Sequence, residues 1–141
     1  MSTTRIYLAG RCKGLEDEGM EWRKKATEAL YNAASWKDAR ISVLNPLDYF
    51  SYKDNKAKSH KQVKGFYMNR IKNCDLVLVN LDGTNESIGT AQEIQYAVDH
   101  DITVIGFNEG TGYPWIEEVD CQVTFGNLFE AVDYIRDHYL N

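Results

Sequence analysis

Residues 76–107 read LVLVNLDGTNESIGTAQEIQYAVDHDITVIGF. An apolar, β-branched run, LVLVNL (76–81), ends in a polar, glycine-bearing segment, and the pattern TAQEIQYAVDHD (90–101) is helical. A second apolar run, ITVIGF (102–107), closes the stretch. Near-continuous apolar runs of this length suit strands covered on both faces. Strand, helix and strand in this order form the unit of a parallel sheet with crossover helices. Working outward, RIYLAG (5–10) and ISVLNP (41–46) read as two more strands, and CQVTF (121–125) as a weaker one. Between them, DEGMEWRKKATEALYNAA (17–34), QVKGFYMNRIKN (62–73) and GNLFEAVDYIRDHYL (126–140) carry helical patterns. Met20, Ala26, Leu30 and Ala33 fall near one stripe of the first; Leu128, Val132 and Ile135 share one face of the last. The expected fold is α/β, with helices on both sides of a mostly parallel sheet of about five strands, built by residues 1–141 as one domain.

The 141 residues are 43% hydrophobic, enough for a compact core, and carry a net charge of -5. That charge argues against a nucleic-acid polymer as partner, which calls for a broad basic face. The local basic cluster YKDNKAKSHKQVKG (52–65) reads as a solvated loop. No apolar stretch approaches the roughly 20 residues that span a bilayer, so no membrane partner is expected. MSTTRIYLAG does not resemble a secretory signal, and the three cysteines show no C-x-x-C pair, so a reduced, cytoplasmic protein is the simplest reading. The three histidines are too scattered for a metal set, and no metal is expected.

In a sheet of this kind ligands bind beyond the carboxyl ends of the strands, so the segments there draw attention. AGRCKG (9–14) offers Gly10 for close backbone approach and Arg11 and Lys13 for an anion, or an ordinary solvated turn. It matches neither G-x-G-x-x-G nor the P-loop, and Glu18 stands where a C-x5-R phosphatase loop would need arginine. NPLDYF (45–50) sets Asp48 past the second strand, as a site residue or a turn former. After the third strand, LDGTNESIGT (81–90) delivers Asp82, Ser87, Gly89 and Thr90 toward a helix start, where backbone N–H groups favour an anion. Glu93 follows one turn later. Thr90 and Glu93 form a T-x-x-E capping box on one reading. On the other, Glu93 faces a ligand, and a carboxylate beside a sugar can attack C1′ of a glycosidic bond.

IYLAG, NPLD, IKNCDLVLVNLDG and SIGTAQEIQYA, in this order, resemble the nucleoside 2-deoxyribosyltransferase superfamily, which includes nucleoside 5′-monophosphate N-glycosidases. The resemblance covers nearly the whole chain and centres on G-x-x-x-E-x-x-x-A, here Gly89, Glu93 and Ala97. It implies a flavodoxin-like three-layer sandwich, with Glu93 as nucleophile and Tyr7 of the first strand positioning it. Read without the resemblance, Tyr7 is a strand core aromatic. Ser87, six residues before Glu93, resembles the monophosphate-hydrolysing branch, where a serine contacts the 5′-phosphate. AGRCKG is similar to that branch's phosphate loop. The chain departs from the family at Tyr67, which occupies the place of an aspartate that helps protonate the leaving base. Tyr67 and Asn69 then become the candidates to bind the base, and Asp48 or Asp82 to supply the proton.

The resemblance thus implies an enzyme that cleaves the N-glycosidic bond of a 2′-deoxynucleoside or its 5′-monophosphate and transfers the deoxyribosyl group to another base or to water. No cofactor is implied. Family members assemble as dimers or higher oligomers whose neighbouring subunit closes the site, so a homodimer or higher homo-oligomer is expected, with residues 108–125 near the partner's pocket. Two other classes fit the same residues: a nucleotide-sequestering module without turnover, and a TIR-type NAD glycohydrolase, which also uses a glutamate on this scaffold.

Overall fold

The computed structural model describes residues 2–12, 14–49, 59–110 and 112–140. Five strands form one all-parallel sheet: β1 (Thr3–Ala9), β2 (Arg40–Leu44), β3 (Leu76–Asn80), β4 (Thr103–Phe107) and β5 (Val123–Phe125), in the spatial order β2-β1-β3-β4-β5. The helices are α1 (Met20–Trp36), α2 (His60–Lys72), α3 (Ile88–Asp99) and α4 (Leu128–Tyr139). This is the flavodoxin-like arrangement, and the strand order reverses between β1 and β3.

Alternation along each strand divides the core into two layers. Ile6, Leu8, Leu76, Leu78, Ile105 and Phe107 pack under α1 and α4 with Leu30, Leu128, Val132 and Ile135. Tyr7, Ala9, Val77, Val79 and Val104 point to the opposite face, under α2 and α3 with Ile71, Ile94 and Ala97. Tyr7 is therefore committed by its position in β1 to the face that carries α3.

Four features differ from expectation. α2 begins at His60, because Ser59 and Gln62 form a reciprocal capping box, Ser59 Oγ accepting from the Gln62 N–H at 3.1 Å. The later part of the basic cluster is thus helix rather than loop, while its earlier part lies outside the described residues. α3 begins at Ile88, ahead of the expected Thr90. On α1 the buried stripe runs through Arg23, Ala26, Leu30 and Ala33, with Met20 only half-buried. A π-helical turn, Trp115–Asp120, leads into β5 and was not expected. Among the described residues no helix is long and apolar enough to cross a membrane.

Candidate active site

A crevice of about 300 Å³ opens at the carboxyl end of the sheet, beside the point where the strand order reverses. Gly10 and Cys12 after β1, Arg23 on α1, and Pro46 and Leu47 after β2 form part of its wall. His60, Val63, Lys64, Tyr67 and Met68 line it from one stripe of α2, at the spacing that keeps side chains on one helix face. The first turns of α3 contribute Ser87, Gly89, Thr90, Gln92 and Glu93.

Tyr7 and Glu93 meet here. The Tyr7 ring is fully buried and its hydroxyl donates to Glu93 Oε2. Glu93 keeps some exposed surface as a residue, yet its carboxyl is deeply enclosed, and burial pushes its pKa up from 4.5 to about 7. The Tyr7 hydrogen bond and the positive charge of Arg23 oppose that shift without overcoming it. Burial and then the Glu93 charge hold the Tyr7 hydroxyl well above its ordinary range, so it stays a donor at neutral pH. Burial also raises the Cys12 thiol, which disfavours the thiolate that a nucleophilic cysteine needs.

The structure excludes the capping reading of T-x-x-E. The α3 cap is Ser87, whose hydroxyl accepts from the Thr90 N–H at 3.4 Å and lies 2.7 Å from the Thr90 hydroxyl. Thr90 is therefore inside the helix, 2% exposed, and Glu93 lies in the second turn. The capping-box assignment of Thr90 and Glu93 is corrected accordingly: Ser87 took the cap because the helix starts earlier.

Other expected residues lie outside the crevice. Arg11 forms an ion pair with Glu86 at 3.1 Å and lines a separate, more open depression with Asp82, Gly83, Asn85, Glu109 and Gly110. Gly14 and Gly83 both adopt left-handed φ beside it, and a Cβ at Gly14 would come within 2.7 Å of the Arg11 guanidinium. Asp82 accepts from the Gly110 N–H at 2.8 Å in the same depression. Asp48 ends a short 3₁₀ turn, Pro46–Asp48, and is exposed, while its neighbours Pro46 and Leu47 line the crevice. Asn69 is exposed on α2, off the lining stripe, and its carbonyl accepts from Asn73. Tyr67 does line the crevice, and its hydroxyl donates to the Pro46 carbonyl at 2.8 Å. Lys13 lies outside the described residues.

Sequence reasoning missed Arg23. It is 1% exposed, with Nη2 donating to the Gly10 carbonyl at 2.9 Å and Nη1 to the Glu18 and Gly19 carbonyls at 3.2 and 3.3 Å. It thereby ties the loop after β1 to the start of α1 and places a buried cation in the crevice wall. EWRKKA looks like a solvated helix face, and nothing local in the sequence marks this arginine as different from its lysine neighbours. The stripe of α2 was also missed beyond Tyr67: His60 lay ahead of the expected helix, and Val63, Lys64 and Met68 lay within it but were not singled out.

Comparison with known proteins agrees with this architecture. The chain aligns over 97% of its length with a 2-desoxiribosyltransferase from Leishmania mexicana, at 20% identity, 99% coverage of that chain and TM-score 0.66. A 2-deoxyribosyltransferase from Bacillus psychrosaccharolyticus gives 18% identity, coverage of 93% and 92%, and TM-score 0.69. A CMP N-glycosidase from Clostridium botulinum gives 24% identity, coverage of 97% and 100%, and TM-score 0.57. These likenesses show a shared fold. By sequence, the chain matches none of the curated proteins. The model of the nucleoside 2-deoxyribosyltransferase family matches residues 6–128, spanning both the β1 tyrosine and the α3 glutamate, and the chain belongs to that family.

Proposed function

We propose that this protein cleaves the N-glycosidic bond of a 2′-deoxynucleoside or its 5′-monophosphate through a covalent intermediate on Glu93. The observation that carries the reading is the Tyr7–Glu93 pair at a crevice of nucleoside dimensions. A carboxylate whose pKa sits near 7 is ionised in a useful fraction at neutral pH while remaining poorly solvated. In the first step a Glu93 oxygen forms a bond to C1′ as the C1′–N bond breaks, its electron pair leaving with the base, which takes up a proton. In the second step another base, or water, attacks C1′ and releases the Glu93 carboxylate.

Tyr7 acts as the positioning group: its buried hydroxyl fixes one Glu93 oxygen and leaves the other to react. Ser87 and the N-terminal N–H groups of α3 lie on the same wall and suit a 5′-phosphate or 5′-hydroxyl. The family supports either fate of the deoxyribosyl group. One structural neighbour is a transferase by name and another an N-glycosidase.

A panel of deoxynucleosides and their 5′-monophosphates, incubated with the protein with and without a second base, tests the proposal. Release of free base from at least one member is expected, and a new nucleoside formed only with the second base would identify a transferase. Tight binding of substrates without release would favour sequestration instead. Nicotinamide released from NAD, with every deoxynucleoside intact, would favour a TIR-type reaction.

A further inference from the structure

Departure of a base leaves the electron pair of the C1′–N bond on that base, and some group in the crevice has to meet the charge. Among the described residues lining the crevice, the ionisable side chains are Cys12, Arg23, His60, Lys64, Tyr67 and Glu93. Glu93 is the one carboxylate, and the proposed reaction uses it on the sugar. Arg23 is 1% exposed, with its terminal nitrogens engaged by three backbone carbonyls. Tyr67 gives its hydroxyl proton to the Pro46 carbonyl, so toward a base this oxygen acts as an acceptor. Lys64 is exposed at the crevice, three residues from Tyr67 on the same stripe of α2, and an ammonium only donates. Pro46, Leu47, Val63 and Met68 supply the apolar surface around these two groups, suited to a flat ring. The polar start of α3 lies on a different element and suits the other end of a nucleotide.

We propose that Lys64 meets the departing base, and that the crevice selects bases with a ring lactam, such as uracil, thymine or hypoxanthine, over the amino bases cytosine and adenine. The inference rests on the N-glycosidic reading above. In a lactam base the departing electron pair delocalises through the ring to the C4 carbonyl oxygen of a pyrimidine or the C6 carbonyl oxygen of a purine, to which the ammonium donates a hydrogen bond or a proton. The ring N–H beside that carbonyl finds the Tyr67 oxygen. In an amino base the matching substituent is an NH₂ donor facing an ammonium donor. Adenine has no carbonyl and leaves by protonation of a ring nitrogen, which would set a cation beside Lys64; cytosine keeps only its C2 carbonyl, beside the glycosidic nitrogen, and presents the NH₂ at the position Lys64 meets. The step balances: Glu93 bonds to C1′, the C1′–N pair goes to the base, and the base gains one proton from Lys64, which recovers it from water.

The test compares kcat/KM for base release from deoxyuridine, deoxyinosine, deoxycytidine, deoxyadenosine and their 5′-monophosphates. It uses the unaltered protein, Lys64→Met and Lys64→Arg. Each lactam substrate is expected to lead its amino counterpart by about tenfold or more. Lys64→Met removes that lead mainly through kcat, and Lys64→Arg retains it. A 5-fluorouracil base, which stabilises its own departing anion, should rescue Lys64→Met more than it accelerates the unaltered protein. Affinities of the same substrates for Glu93→Ala are expected to rank in the same order without turnover. Amino bases preferred or equal, or a Lys64→Met loss confined to monophosphates, would overturn this inference while leaving the N-glycosidic reading intact. No release and no binding of any substrate would overturn both.

Discussion

Glu93 concentrates the conflict between stability and chemistry at a single residue. Its carboxyl is enclosed, and burial raises its pKa from 4.5 to about 7 against the opposing pull of Tyr7 and Arg23. A carboxyl raised in this way contributes stability that is fully present below about pH 4.5 and lost as pH rises through about 7. Glu93→Gln, which keeps the shape and can still accept from Tyr7, should therefore be more stable than the unaltered protein at pH 8. The gain is of the order of 3 kcal/mol and should vanish toward pH 4.5, as denaturant melts at the two pH values would show. Activity is expected to carry the opposite sign, because the proposed nucleophile is the carboxylate. Base release should rise with pH through about 7 and level off above it. Tyr7→Phe removes a hydrogen bond that lowers the Glu93 pKa, so the rising limb should move to higher pH; an unmoved limb would mean that Tyr7 does not set the Glu93 charge.

At the scale of elements, the parallel strands and their helices were legible because fully covered strands must be continuously apolar, and LVLVNL and ITVIGF are. That Tyr7 and Glu93 belong together was suggested by the family resemblance alone; the residue pattern read Tyr7 as core and left Glu93 between a cap and a ligand-facing group, and the structure joins the two by a hydrogen bond. The start of α2 was masked by lysines, although Ser59 and Gln62 carried the capping-box signal. Arg23 was not legible, because its partners are backbone carbonyls of a loop whose path no local pattern announces. Helix starts depend on single hydroxyls, which is why Ser87 and Thr90 could exchange roles on paper. The sheet offers a prediction of its own. Gly106 is buried in β4, and a Cβ there would meet Leu81 Cδ1 at 2.6 Å and Cys121 Sγ at 3.1 Å. Gly106→Ala should overpack the layer under α3 and cost about 1–3 kcal/mol, read as a lower denaturation midpoint at unchanged slope. Full tolerance of the methyl would mean that Leu81 and the π-helical turn bearing on Cys121 yield more readily than the packing implies.

At the scale of the whole molecule, the fold gathers the crevice from five loops and helices, yet leaves large apolar side chains outside. Trp115 is 73%, Val119 75% and Tyr113 39% exposed, all beside or within the π-helical turn before β5. By contrast, Phe125, Tyr134 and Tyr139 pack against the core, while Phe129 on α4 stays 60% exposed. Apolar exposure of this size favours an interface between copies. We therefore expect a homodimer or larger homo-oligomer at micromolar concentration by light scattering, and Trp115→Glu should shift it toward monomer. A monomer of 16.2 kDa that retains full activity would leave each crevice to close itself. The central claim remains that the sheet, through Tyr7, holds Glu93 where it attacks the sugar. The rate of base release by Glu93→Ala, measured beside the unaltered protein on the best substrate of the panel, tests it most directly. A fall of several orders of magnitude, partly restored by added azide as a replacement nucleophile, is the result predicted; release at the unaltered rate would contradict it.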